Sequence, residues 1–313
     1  MWRVGSVLKF CLGLSRVQRA YIWRHGGVSV NGEPVGAQHV HCRPGDDVRV
    51  WYPEPTSTVR PEPDAPLQVL YEDDWLLAVA KPPGRLSHPA RGEQSGTVAN
   101  AVAARYQIDG GAQPAPVRPV HRLDRDTSGL LLFARDTAIA RALVRQRAAG
   151  QLRREYLALV TGEPPSPGEI DLALGPDPEH RTRRRVAAPG QDASGSLPPG
   201  FQEALTTYRV VQYGPRAALV VARLRTGRTH QLRAHFAAIG HPVLGDGLYG
   251  QSPGSAPGDL EGDPRQAPGP PPRQALHAWR ARLRHPRGGA PLTLTAPLPR
   301  DFIATAREAL RDL

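Results

Sequence analysis

The chain is poor in lysine, cysteine and aromatic residues, and it has no long apolar run. Of its 40 basic residues only Lys9 and Lys81 are lysine. Its cysteines, Cys11 and Cys42, are too few for a disulfide framework and lack the spacing of a metal site, which fits a reducing cytoplasm. No stretch approaches the roughly 20 apolar residues of a membrane span, so no membrane partner is expected. Residues 1–10 carry no signal-peptide core or cleavage site. A glycine-rich phosphate loop and a serine nucleophile elbow are also absent, which leaves serine hydrolase chemistry without support. No internal repeat is visible.

What remains is a chain of 313 residues with 40% apolar content, enough for one large domain and a small one. Basic residues number 40 against 29 acidic ones, giving a net charge of +11 and a pI near 10.4. That balance points to a polyanionic partner, nucleic acid before membrane.

Residues 1–52 read as a small α+β module. A helix is expected from a Ser15 cap to about Arg24, ended by Gly26-Gly27. Val28-Ser29-Val30 alternates as a strand, and Asn31-Gly32 is a strong hairpin signal. Pro44-Gly45-Asp46 forms another turn before a strand through Val48, Val50 and Tyr52. This pattern resembles the RNA-binding domain named after small-subunit ribosomal protein S-four. Arg16, Arg19 and Arg24 would then form a basic helix face suited to phosphates.

Residues 53–66 are rich in Pro and Glu and read as a semi-extended linker. The main domain occupies 67–313. Its strands outnumber its helices and are mostly joined by short turns, so the expected class is α+β with a mixed, largely antiparallel sheet. A helix capped by Thr97 and another capped by Asp136 or Thr137 and ended at Gly150 are expected. Residues 175–203 give no clear strands. Residues 251–273, dominated by Pro and Gly, read as a disordered insertion.

The nine residues from His121 to Gly129, His-Arg-Leu-Asp-Arg-Asp-Thr-Ser-Gly, form a polar turn that feeds the apolar run Leu130–Phe133. A turn at the end of a buried strand is where a reactive carboxylate such as Asp124 would be placed. Taken alone, Asp beside Arg in a turn is usually a structural ion pair. Asp124 and Asp126 could bind a divalent metal, but Arg122 and Arg125 beside them compete with a cation. His230 and His235 are five apart, one more than the spacing that puts two ligands on one helix face. No metal is expected.

The stretch 121–129 resembles the signature of the RluA-type pseudouridine synthases. Companion motifs follow the family's order. They are Tyr71-Glu72-Asp73 with Lys81-Pro82-x-Gly84, then Tyr156-Leu157-Ala158, Thr226 to Arg233, His241 to Asp246, and Leu276-His277-Ala278. The resemblance implies isomerisation of specific uridines in RNA, ribosomal RNA before transfer RNA, with no cofactor. It makes Asp124 the catalytic carboxylate acting at the ribose. The target base must leave its stack. Arg122 would fill the vacated space or hold phosphate, and Tyr156 would be the platform for the flipped ring. Arg233 would pair with Asp124, Lys81 would support the pocket, and Gly129 and Gly227 would allow close backbone approach. His121 and His277 are expected to be hydrogen-bonded scaffold. A cytoplasmic monomer is expected. The competing readings are a non-catalytic RNA-binding or ribosome-assembly protein on the same fold, and a metal-dependent nucleotide hydrolase using Asp124 and Asp126. The target uridine, the number of sites and the function of the 251–273 insertion are not legible.

Overall fold

The computed structural model describes residues 1–14, 16–51, 59–108, 117–187, 197–250 and 272–311. It divides into two compact units, Met1–Thr56 and Ser57–Leu313.

The first unit begins with strand β1 (Trp2–Arg3), helix α1 (Val4–Ser6) and a π-helical turn (Val7–Cys11), followed by α2 (Arg16–His25). Strands β2 (Gly27–Val30), β3 (Glu33–Pro34) and β5 (Val48–Trp51) form a sheet in the order β3-β2-β5, while β4 (His41–Cys42) pairs with β1. Asn31 and Gly32 have φ of 53° and 87°, as a two-residue hairpin requires. Asn31 also clasps the second turn: its Nδ2 donates to Asp46 Oδ1 at 3.0 Å and its Oδ1 accepts from Asp47 N at 2.9 Å. The core consists of Val4, Leu8, Leu14, Ile22, Val28 and Cys42. Arg16 and Arg24 are exposed on α2, whereas Arg19 is half-buried and donates to Leu14 O at 2.5 Å. The expected cap Ser15 and strand end Tyr52 lie outside the described residues.

The second unit is built on a sheet in the order β11-β14-β15-β10-β16-β9-β7-β6, with β17 added to β16 and β8 to β9. In chain order these are β6 (Gln68–Glu72), β7 (Leu76–Lys81), β8 (Arg118–Pro119), β9 (Ser128–Ala134), β10 (Arg153–Thr161), β11 (Gly168–Asp171), β14 (Leu205–Tyr213), β15 (Ala217–Leu224), β16 (Leu276–Arg284) and β17 (Pro291–Thr295). Strands β12 (Leu174–Pro176) and β13 (Arg184–Val186) form a separate pair. Every pairing in the large sheet is antiparallel except β9 with β16. The sheet is therefore mixed and mostly antiparallel, as expected.

Helices cover both faces, which is why the central strands read as apolar runs. One face carries Leu77, Val79, Leu131, Phe133, Tyr156 and Ala158, packed with α3 (Val98–Ile108) and α5 (Gln231–Ala238). The other carries Leu76, Ala78, Leu130 and Leu132 against Ile139 and Leu143 of α4 (Thr137–Ala148). Leu157 and Leu159 meet Phe302 of α6 (Arg300–Leu310). Removing one such leucine side chain costs roughly 2–5 kcal/mol. The caps are those the sequence predicts. Asp136 accepts from Ile139 N at 2.7 Å, and Thr97 N and Oγ1 both donate to Asn100 Oδ1.

Two expected boundaries are corrected. The second half of the 53–66 segment is bound to the large unit. Val59 packs on the main core, Asn100 Nδ2 donates to Arg60 O at 2.7 Å, and the Glu62 carboxylate accepts from Gly96 N at 3.0 Å. Composition marked the segment as linker, but its backbone is hydrogen-bonded to Asn100 of α3 through Arg60 O and Glu62 N. The insertion also ends earlier than 273. Residues 251–271 lie outside the described residues, yet Arg273 is buried in ion-pair and backbone contacts described below.

Candidate active site

The 120–127 loop joins β8 to β9 and is held from several sides. Ser87 Oγ donates to Leu123 O at 2.8 Å and accepts from Leu123 N at 2.9 Å. Lys81, 1% exposed at the end of β7, gives its ammonium hydrogens to Pro82 O, Arg85 O and Arg125 O at 2.9, 2.6 and 2.5 Å. Those acceptors use all three of its donors. Burial pushes the Lys81 pKa down to about 7, against the upward pull of Asp126 and Asp124. From the other side Arg273 Nη1 donates to Asp126 O at 2.8 Å, while its Nε and Nη2 bind the Asp301 carboxylate. Asp124 is thus flanked by two basic side chains that hold the backbone one and two residues beyond it.

Gly129 fixes where the loop enters the sheet. Its φ is +112°, and a Cβ there would lie 2.2 Å from Ala278 O across the parallel β9–β16 pair. Only glycine lets the two backbones meet at this point. Beside it, Ser128 Oγ shares a hydrogen bond of 2.9 Å with His277 Nδ1, so His277 is scaffold as expected.

Asp124 is half-buried at a pocket of about 50 Å³ whose lining includes Arg122, Tyr156, His230, Leu232 and Arg233. The pocket opens into a groove of about 860 Å³ that shares Asp124, Tyr156 and Arg233 with it. Tyr156 is 3% exposed on β10; burial raises its phenol pKa, with Arg154 pulling down and Asp124 pushing up. Arg122 is exposed where the groove begins.

Arg233 comes from α5 and reaches Asp124 Oδ2 through Nη1 at 3.4 Å. Its principal partner is Asp246. Nε donates to Asp246 Oδ2 at 2.6 Å and Nη2 to Asp246 Oδ1 at 2.8 Å. Burial alone would lower the Arg233 pKa, but Asp246 and Asp124 reverse this and raise it, so the guanidinium is charged. Asp246 Oδ1 also accepts from Leu248 N and Tyr249 N, which fixes its own orientation. Arg233 therefore offers Asp124 one hydrogen bond from a rigid base rather than a two-oxygen clamp.

The 226–231 turn that launches α5 is tied to β14 by Gln231. Its Oε1 accepts from Thr226 Oγ1 and Arg228 N, and its Nε2 donates to Leu205 O. His230 ends this turn with φ of 56°, a left-handed conformation that costs a non-glycine residue on the order of 1–3 kcal/mol. The turn places its ring on Tyr249 OH at 3.2 Å and in the Asp124 pocket.

A half-buried carboxylate, a buried tyrosine and a pre-oriented arginine at one end of a long groove fit chemistry on a strand-like substrate. Residues 75–238 match the RNA pseudouridylate synthase family. A relative from Nitrosomonas europaea, named ribosomal large subunit pseudouridine synthase D, is 38% identical over 79% of this chain and 66% of its own length. The chain belongs to the RNA pseudouridylate synthase family, RluA type. An RNA pseudouridine synthase from Bacillus subtilis, YhcT, described as uncharacterized, is 36% identical over 95% of this chain and 90% of its own length. The structure of human RNA pseudouridylate synthase domain containing 4 superposes with a TM-score of 0.60 at 25% identity, over 77% of this chain and 92% of that one. The protein is accordingly an isomerase, which disposes of the non-catalytic and hydrolase readings.

In this synthase the fold brings Asp124, Arg122, Tyr156 and Arg233 to one pocket, and Lys81 supports it from beneath through backbone carbonyls. Gly227 sits at the groove, where a Cβ would lie 3.1 Å from Arg154 Nη2. His121 is less firmly held than the expected hydrogen-bonded scaffold: among the described residues its ring nitrogens have no well-formed hydrogen bond, only a weak contact with the Arg122 backbone. Sequence reasoning gave no role to Asp246 or Arg273 and weighed His230 only as a metal ligand. Asp246 stood in a quoted motif but carried no role. Arg273 was concealed by the Pro/Gly composition preceding it.

Proposed function

We propose that this synthase converts specific uridines of ribosomal RNA to pseudouridine, with Asp124 as the catalytic carboxylate acting at the ribose. Tyr156 is the platform for the flipped uracil, and Arg122 occupies the space the base leaves or holds its phosphate. Arg233 orients Asp124 from its base on Asp246, and Lys81 positions the loop that carries both Asp124 and Arg122. The observation that carries this reading is the half-buried Asp124 sharing one pocket with buried Tyr156 and charged Arg233. Ribosomal RNA is chosen over transfer RNA because of the names borne by relatives such as that from Nitrosomonas europaea.

The first unit is proposed to be an S-four-like RNA-binding module. Exposed Arg16 and Arg24 would meet phosphates, while Arg19, bound to Leu14 O, steadies the helix start. The enzyme is proposed to act as a cytoplasmic monomer; among the described residues no helix is long and apolar enough to cross a membrane. Mapping pseudouridines in total RNA from cells with and without the gene tests the proposal. One or a few ribosomal uridines should lose the modification in the deletion strain. Loss confined to transfer RNA, or no loss in any RNA, would overturn the ribosomal assignment.

A further inference from the structure

The groove extends beyond Tyr156 to Arg154 on β10, Arg147 near the end of α4, and Arg228 in the 226–231 turn. Among the described residues these guanidinium groups have no carboxylate partner, unlike four other arginines around the site. Arg233 has Asp246, Arg273 has Asp301, and Arg223 and Arg280 share Glu155. Arg147 donates to Val120 O at 3.5 Å, Arg154 to Thr226 O at 3.3 Å and Arg228 to Glu203 O at 2.9 Å. Each is steadied by a backbone carbonyl, and its charge is left unbalanced. The charges also act on one another: after burial, Arg154 and Arg228 are what lower the Arg147 pKa. Arg154 is 6% exposed, so a cation is held out of water with no carboxylate partner among the described residues.

His121 supplies a second, independent observation. It lines the same groove, is 7% exposed, and among the described residues its ring nitrogens have no well-formed hydrogen bond, only a weak contact with the Arg122 backbone. Burial, with Arg154 and Arg147 nearby, pushes its pKa down to about 3 against the upward pull of the Arg122 backbone. At neutral pH its buried ring N–H has only a weak contact with the Arg122 backbone, which leaves it free to donate to a bound group. Gly227 keeps the approach to Arg154 clear.

We infer that Arg147, Arg154 and Arg228, with His121, form a binding site for one phosphodiester group of the RNA strand whose uridine reaches Asp124. A phosphate oxygen pair matches the planar guanidinium fork and neutralises the unpaired charge. Tyr156 and Arg154 lie two residues apart on β10 and both face the groove, so one strand would hold base and phosphate in fixed relation. The inference rests on the reading that this groove binds the substrate RNA.

The test uses the intact enzyme and the RNA segment containing its mapped target uridine. That RNA is synthesised with a neutral methylphosphonate at one linkage at a time around the target. For wild-type enzyme, one linkage near the target should raise KM roughly 10-fold or more while kcat changes little, the size expected for losing a charge-assisted hydrogen bond. Arg147→Gln and Arg228→Gln, both at exposed positions, should raise KM for the natural RNA. Both variants should then respond much less to that same neutral linkage. Arg154→Lys, which keeps the charge without the fork, should show intermediate sensitivity. If neutralising any linkage costs wild type and the Arg147 and Arg228 variants equally, the site does not read a phosphate and the inference fails. The proposed function fails separately, if the wild-type enzyme forms no pseudouridine in the natural RNA.

Discussion

Replacing Asp246 by Asn separates the two carboxylates that Arg233 touches. The Arg233 and Asp246 side chains are 8% and 0% exposed, and two short hydrogen bonds join them. In Asp246→Asn the Oδ1 position can still accept from Leu248 N, Tyr249 N and Arg233 Nη2. The amide nitrogen at the Oδ2 position, however, would face the Arg233 Nε donor. A buried guanidinium would lose its counter-charge and one acceptor at once, a loss of about 3–5 kcal/mol. For a unit of this size that lowers Tm by on the order of 10 °C. Asp124→Asn is the control. Asp124 is 25% exposed and has one contact of 3.4 Å to Arg233, so its loss should cost below about 1 kcal/mol. Calorimetry on both variants, with urea unfolding as a second probe, measures the difference. If Asp246→Asn melts within about 2 °C of wild type, or Asp124→Asn falls as far as Asp246→Asn, Arg233 is not seated on Asp246 as described.

Lys81→Met keeps the volume but strands the carbonyls of Pro82, Arg85 and Arg125. It should cost about 2 kcal/mol or more and lower kcat more than RNA affinity; unchanged kcat in a folded variant would remove Lys81 from loop positioning. Burial pushes the pKa of His277 from 6.5 to about 4, so between those values the unfolded chain binds a proton that the folded one does not. Stability should therefore fall as pH drops through this window, by roughly 3 kcal/mol at its foot from this residue. Urea titrations should show a flatter profile for His277→Gln, and an identical slope would contradict this. A chain starting at Ser57 should keep the melting temperature of the large unit, whereas one starting at Asp64 loses the Val59, Arg60 and Glu62 contacts and should melt several degrees lower. Equal melting of the two would show that those contacts contribute nothing.

Much of the fold was legible because local chemistry and tertiary structure agree. Asn31-Gly32, the Asp136 cap and Gly150 after α4 all act where turn and cap rules place them. Gly129 was legible as a close approach, although the sequence could not say that Ala278 was the neighbour. The less legible features are relations between distant segments. Arg233 was assigned to Asp124 because both lie in signature motifs; that Asp246 takes the two strong bonds depends on how α5 packs against the turn following Val243. Composition windows misjudged residues 59–66 and Arg273, because they average over neighbours and cannot see one anchored side chain among prolines. The poorly satisfied His121 has no sequence signal at all: a histidine in a polar turn reads as solvated or well bonded, and here it is buried with only a weak contact to the Arg122 backbone.

The central claim is that Asp124 performs the isomerisation. Single-turnover pseudouridine formation by Asp124→Asn on the mapped RNA tests it most directly, because the substitution keeps the shape of the side chain and removes its carboxylate. The account predicts a folded variant with near-normal RNA affinity and no detectable pseudouridine at enzyme excess. Substantial product from that folded variant would contradict it.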